Sequence, residues 1–363
     1  MKKTKRKTGK ASARPRCVAA IDLFCGVGGL THGLAKSGID VRLGVDIDPD
    51  CEFPYTANNK ATFLLKSVAD LSADDHVKRV KGGGLRLLAG CAPCQPFSTY
   101  HQKAGAKDSR WRLLDHFGRL ATEFDPDLIT MENVPNLEKQ KVFRSFVAKL
   151  KKLGFHVSHE VVDCSDFGVP QQRRRLVLLA SKLGPIELER PKRRSKITVK
   201  QAIGGLPRIR AGGVCARDPL HQACELSELN LARIRASKPG GTWRDWKKSL
   251  VADCHRRQTG KTYPGVYGRM VWNEPAPTMT TQYFAFGSGR FGHPSQARAI
   301  SLREGAILQS FPRSYKFVAS GKPVSRKSFG RLVGNAVPVK LGEAIGRSIL
   351  AHVRSQGGAA KAA

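Results

Sequence analysis

Cys94 stands between two prolines in LLAGCAPCQPFS, just beyond an apolar run that ends at Gly90. A thiol at the carboxyl end of a central strand lies where open α/β sheets hold their ligands. With a lowered pKa it becomes a nucleophile. Pro93 and Pro96 stiffen the turn, which favours a chemical role for Cys94; Cys91 reads as a packing thiol. In DLITMENVPNL, Glu132 and Asn133 end another apolar run. A carboxyl group there can protonate or hydrogen-bond a ring nitrogen once burial raises its pKa. In VPQQRRRLVLLAS, Arg173 and Arg175 alternate at the start of a strand, so they share a face, and Gln171, Arg173 and Arg175 are expected to point into one cleft.

A further cluster suits a ligand better than a reaction. In AAIDLFCGVGG a Gly-rich turn, Cys25 to Gly29, joins an apolar run to a short helix. Such a turn lets a ligand approach the backbone, and the helix start presents free amides. Asp46 follows Gly26 by 20 residues, at the end of the next strand, where an acidic side chain can take ribose hydroxyls. The pattern is not GxGxxG, so an adenosine-containing cofactor other than a dinucleotide is expected. Asn335, ahead of a Pro-started helix in GNAVPVKLGEAIG, is placed for a polar cofactor contact.

The elements that must position these residues alternate. Apolar runs at Val18–Phe24, Val41–Val45, Leu85–Ala89, Leu128–Met131 and Leu176–Ala180 read as strands. Leu30–Lys36, Leu113–Phe124 and Val142–Leu153 read as helices, which implies a mostly parallel sheet covered by helices. From about Lys182 the periodicity fades and a second domain is expected. Ser301 and Glu304 form a capping box, and a last helix from near Pro338 should bury Leu341, Ile345, Ser348/Ile349 and His352/Val353.

Composition narrows the function. The 363 residues carry 63 Lys plus Arg against 29 Asp plus Glu, a net charge of +34. That surplus points to a polyanionic partner, nucleic acid first and an anionic membrane surface second. No apolar run is long enough for a membrane span, and the basic start lacks the apolar stretch of a secretory signal. Residues 1–17, with eight Lys or Arg among the first 16, read as a flexible basic arm, and 356–363 as a disordered tail. Nine irregularly spaced Cys suggest reduced thiols in a cytosolic protein. The single CxxC has no second CxxC to complete a zinc site, and Cys215, Cys224, Cys254 and His255 match no usual ligand spacing, so no metal is expected.

Taken in order, AIDLFCGVGG, APCQPFS, MENV, QQRRR, PAPTMTT with REGAILQSFP, and GNAVPV resemble the motifs of the DNA (cytosine-5)-methyltransferases, over about residues 18 to 350. The resemblance implies a Rossmann-like α/β S-adenosylmethionine-dependent methyltransferase domain (18–182 plus 331–355) and a smaller target-recognition domain (183–330). It implies S-adenosylmethionine as methyl donor and a flipped cytosine in double-stranded DNA as acceptor. Cys94 resembles the nucleophile, Glu132 the acid, and Arg173 and Arg175 the arginines beside the flipped base. Phe24, Gly26, Gly28, Gly29, Asp46, Ile47, Asp70, Leu71, Pro93, Asn335 and Val337 fall on cofactor positions. Asp46 stands where the family usually has the longer Glu, and Cys91 where it commonly has Gly or a small residue. Ser98 to Arg112 resembles the mobile loop that closes over DNA. Ser98, Arg110, Gln171, Thr242, Arg244 and Thr281 are the expected DNA contacts. The resemblance further implies a monomeric bacterial or phage modification enzyme, cytoplasmic and associated with the nucleoid, with a cognate restriction endonuclease acting on the same site but not in a stable complex. The tRNA-acting branch shares the motifs. A nicotinamide dehydrogenase lacks support without GxGxxG, and the intact Cys94–Glu132 set argues against an inactive DNA-binding relative.

Overall fold

The computed structural model describes residues 17–72, 84–93, 112–191 and 196–359. The Cys94, Ser98 and Arg110 positions and the basic segment 1–16 lie outside them. The first part contains β1 (Val18–Leu23), α1 (Gly29–Ser37), β2 (Asp40–Asp46), α2 (Glu52–Thr56), β3 (Thr62–Leu65) and β4 (Leu85–Gly90). It continues through α3 (Arg112–Phe124), β5 (Leu128–Asn133), α4 (Lys141–Lys152), β6 (His156–Asp163) and β7 (Arg174–Ser181). The strands form one sheet in the order β3-β2-β1-β4-β5-β7-β6.

Strands β3, β2, β1, β4 and β5 are parallel neighbours, and every residue of β1 and β5 is buried, as expected for strands covered on both faces. Strand β7 runs antiparallel to both β5 and β6. The link from β6 to β7 is a short loop built around a 3-10 turn at Cys164–Phe167, too short for a crossover. The direction of β7 decides the site. Its first residues reach the edge where the parallel strands end, so Asn133 pairs with Leu176 and Glu132 with Val177. Strands β3 and β6 are missing from the sequence reading: β6 is a half-exposed edge strand without an apolar run, and edge strand β3 carries only the short run Phe63 to Leu65.

One sheet face is covered by α3 and α4, which bury Leu114, Phe117, Leu120, Phe143, Phe146 and Leu150. The other face is covered by α1 and the last helix, through Leu30, Leu34, Leu341, Ile345, Ile349 and Val353. Each such side chain contributes roughly 1.5–3 kcal/mol on burial. Ser348 and His352 are buried as the helical spacing predicts.

The remaining elements are α5 (Val199–Ile203), the hairpin β8 (Val214–Cys215) and β9 (Asp218–Gln222), α6 (Glu228–Ala236), α7 (Asp253–Arg256), α8 (Leu302–Leu308), α9 (Arg326–Asn335) and α10 (Val339–Ala359). A third core gathers Met270, Met279, Tyr283, Phe291, Phe311, Phe317 and Phe329, and it takes in Val27, Cys51 and Val339 from around the glycine turn. The second part thus shares its core with the first. The capping box forms: Glu304 N–H donates to Ser301 Oγ at 3.1 Å and Ser301 N–H to Glu304 Oε2 at 2.6 Å. Wholly buried Arg298 grips the same carboxylate at 2.7 and 2.8 Å. The expected tail is corrected in part, since α10 runs to Ala359 and residues 360–363 lie outside the described set. The Ala and Gly of that stretch keep their amide donors, and no proline interrupts the helix before Ala359. Among the described residues no helix is long and apolar enough to cross a membrane, and no three His, Cys, Asp or Glu are grouped to hold a metal.

Candidate active site

After β1 the chain reverses through left-handed backbone at Phe24 (φ 57°), Gly26 (φ 52°) and Gly28 (φ 85°). Cys25 N–H donates to Val45 O at 3.1 Å, which holds the turn over the end of β2. Gly26 N–H donates to Asp46 Oδ2 at 2.8 Å and Asp48 N–H to Asp46 Oδ1 at 3.0 Å. Each Asp46 oxygen keeps a lone pair for an incoming hydroxyl. Burial raises the Asp46 pKa, against these backbone hydrogen bonds, which lower it.

The turn has open space on one side and close packing on the other. A Cβ built on Gly26 would meet nothing within 4 Å, whereas one on Gly29 would lie 2.2 Å from Val337 O. Tyr315 Oη donates to Val27 O at 2.5 Å, so the second part of the chain braces the turn. Ile47 is 70% exposed beside it. Asp70 and Asn335 are also exposed, Phe24 and Pro93 are half-buried, and Leu71 and Val337 are buried. An open glycine turn, an acceptor pair at Asp46 and exposed Ile47, Asp70 and Asn335 fit an adenosine-type cofactor.

Asp22 is the one acidic residue inside the Val18–Phe24 run. It is 1% exposed in β1; Thr31 Oγ1 donates to its Oδ2 at 2.7 Å, and its Oδ1 has no partner. Burial pushes its pKa up to about 7. The available signal was a lone carboxylate inside a buried strand directly ahead of the turn.

At the end of β5, Glu132 is 3% exposed. Arg175 Nε lies 2.8 Å from its Oε1, an ion pair whose alignment falls short of a hydrogen bond. The Cys91 thiol donates to Oε2 at 2.9 Å, so Cys91 touches the candidate acid rather than packing only. Asn133 Nδ2 donates to Ala92 O at 2.8 Å, which ties the end of β5 to the loop that leads through Pro93 to Cys94. Burial raises the pKa values of the Cys25, Cys51 and Cys164 thiols, so none of these is a ready nucleophile.

Two expected cleft residues are elsewhere. Arg173 is 3% exposed, with Nη1 donating to Met279 O and Nη2 to Gly334 O, both at 3.0 Å. Burial, then the neighbouring Arg175, lowers its pKa to about 9, so it stays charged at neutral pH. Gln171 is fully buried: it donates to Leu308 O at 3.2 Å and Gln309 Oε1 at 2.7 Å, and accepts from Met279 N–H at 2.8 Å. Both residues precede β7, where the chain passes between the sheet and the third core. They tether the two parts, and Gln171 has no free group for DNA. Arg175 alone of the three reaches Glu132.

Thr281 is exposed beside the Arg173 tether. Thr242 caps a 3-10 turn reciprocally with Asp245, and Trp243 in that turn stacks on His255 with ring centroids 4.5 Å apart. Arg244 is exposed, lies 5.5 Å over the Trp243 ring and donates to Lys261 O at 2.8 Å.

The sequence pattern of the C-5 cytosine-specific DNA methylase family matches residues 18–351. The Type II methylase M.HgiDII of Herpetosiphon aurantiacus is 48% identical over 336 residues, covering 91% of this chain and 94% of that protein. The Type II methyltransferase M1.HphI of Haemophilus parahaemolyticus is 31% identical, covering 91% and 86%. A solved prophage-encoded chain of E. coli, assigned to the DNA modification methyltransferases, shares the fold with a TM-score of 0.71 at 23% identity, covering 93% of this chain and 99% of that one.

Proposed function

Because the chain belongs to the C-5 cytosine-specific DNA methylase family and is a DNA (cytosine-5)-methyltransferase, we propose a specific route by which its residues carry out the transfer. The observation that carries the proposal is the buried Glu132–Arg175 pair, set level with the start of the Cys94 loop and tied to it through Asn133.

In this route Cys94 forms a bond from Sγ to C6 of a cytosine flipped out of double-stranded DNA. Glu132 donates a proton or hydrogen bond to N3, so the electron pair displaced from the ring's C5–C6 bond becomes available at C5. Arg175 holds the Glu132 carboxyl in place and stands beside the base. S-adenosylmethionine, when bound, supplies an electrophilic methyl group for C5. A solvent-derived base then takes the C5 proton, the C5–C6 double bond re-forms as Cys94 leaves as a thiolate, and N3 returns its proton to Glu132, leaving 5-methylcytosine. Phe24, Gly26, Gly28 and Gly29 form the cofactor cradle. Asp46 takes the ribose hydroxyls, Asp70, Leu71 and Ile47 border the adenine, and Pro93, Asn335 and Val337 close the pocket.

The basic surface supplies phosphate affinity, and Ser98, Arg110, Thr242, Arg244 and Thr281 are the proposed DNA contacts. We divide the chain into a catalytic part, 18–182 plus 331–355, and a target-recognition part, 183–330, joined through Gln171 and Arg173. The chain is read as a monomeric modification enzyme of a bacterial or phage restriction–modification system, acting on nucleoid DNA in the cytoplasm beside an independent nuclease.

The test is expression in a bacterial host free of cytosine methylation, followed by bisulfite sequencing of the host DNA. The route predicts 5-methylcytosine in one sequence context, lost with Cys94→Ala. Methylation that survives Cys94→Ala would overturn it.

A further inference from the structure

The turn that carries Asp70 is held from outside itself. Val68–Asp70 form a three-residue 3-10 turn, capped by Ser67, whose Oγ accepts from Ala69 N–H at 3.2 Å. A turn this short makes few internal bonds: Asp70 N–H to Ser67 O at 3.1 Å and Leu71 N–H to Val68 O at 3.4 Å. Two of its carbonyls and that of its C-cap Leu71 also converge on one nitrogen of α3. Arg119 Nη2 lies 3.2 Å from Val68 O, 3.1 Å from Ala69 O and 2.9 Å from Leu71 O. The other arm, Nη1, donates to both oxygens of Glu123 at 2.8 and 2.9 Å, which orients the guanidinium from one helical turn away.

Val68 and Leu71 are buried in the same cluster as Leu114, Phe117 and Leu120 of α3, which fixes how deep the turn sits. The carbonyls on Arg119 fix its rotation about that apolar foot, and with it the direction of the exposed Asp70 side chain. A planar guanidinium suits this task, since its flat fork holds an orientation that a single ammonium does not.

We propose that Arg119 is a positioning residue for the adenine end of the cofactor, setting the aim of the Asp70 carboxylate through the carbonyls of Val68, Ala69 and Leu71. This rests on the reading of Asp70 as the adenine contact. The expected discrimination is for a 6-amino group, a donor, over a 6-oxo group, an acceptor.

The test is calorimetric titration of the full chain with S-adenosylhomocysteine and with S-inosylhomocysteine, whose 6-amino group is replaced by an oxo group. Wild type, Arg119→Ala, Arg119→Lys, Glu123→Gln and Asp70→Ala are compared. Loss of an oriented charge-assisted hydrogen bond corresponds to ~10-fold or more in Kd. Wild type should prefer the adenosyl ligand by about that factor, and Arg119→Ala should weaken it by about that factor and erase most of the preference. Arg119→Lys should lose part of both, and it carries the test if Arg119→Ala does not fold. Glu123→Gln should stay close to wild type. An intact preference in both Arg119 variants, with Asp70→Ala abolishing it, would overturn the proposal and leave Arg119 a packing tie. An intact preference in Asp70→Ala would instead remove the reading of Asp70, and the proposal with it.

Discussion

Replacing Asp22 by Asn should flatten the fall of folding stability between about pH 5 and about pH 8. Asp22 is wholly buried beneath the glycine turn with one oxygen unpartnered, and burial raises its pKa from 3.8 to about 7. The unfolded chain releases this proton near 3.8, while the folded chain holds it until about 7. The folded-state value is the higher one, so the stability from this group is fully present below the unfolded value. It is lost as the pH rises through that window and then levels off. At ~1.4 kcal/mol per pH unit the loss totals about 4 kcal/mol, more than half of which falls between about pH 5 and about pH 8. Asn at this position keeps an acceptor for Thr31 and has no proton to release. Urea unfolding of both proteins across the range gives the difference directly, and the other titrating groups largely cancel in it. The stability difference should shift in favour of Asp22→Asn by about 2–3 kcal/mol from the acid to the alkaline end. Parallel curves would refute the reasoning, because they would mean that Asp22 is solvated or paired in the folded chain.

Other consequences are as direct. Gly29→Ala drives a methyl group to 2.2 Å from Val337 O, so it should cost about 1–3 kcal/mol in thermal unfolding and weaken S-adenosylhomocysteine binding measured by calorimetry. Glu132→Gln removes the acid but not the packing, so single-turnover methyl transfer should slow by about 10²-fold or more while DNA affinity holds in a filter-binding assay. Affinity for duplex DNA should fall steeply as salt rises, and Arg244→Ala should lower the slope of log K against log salt by about 1 if it contacts one phosphate.

Strand ends and the glycine turn are legible because apolar runs and glycine constrain the backbone locally. That reading brings Phe24, Asp46, Glu132 and Asn335 to one sheet edge. It fails where a residue's surroundings come from distant chain. Arg173 and Arg175 alternate as expected, yet Arg173 is drawn between the sheet and the Met279–Gly334 backbone, which no local pattern encodes. Gln171 is buried for the same reason. Cys91 packs against the core as read, but its thiol also meets the Glu132 carboxyl, because Met131 stands level with Gly90 and Glu132 is the next residue along β5. Edge strand β6 escapes notice because a half-exposed strand needs no apolar run, and β3 because its apolar run is only three residues long.

The central claim is that this chain methylates cytosine in duplex DNA through Cys94. The most direct measurement is transfer of labelled methyl from S-adenosylmethionine to unmethylated double-stranded DNA, with tRNA as competing substrate and Cys94→Ala as control. The account predicts label in DNA cytosine, none in tRNA, and none in either with Cys94→Ala. Label confined to tRNA, or label in DNA that persists without Cys94, would contradict it.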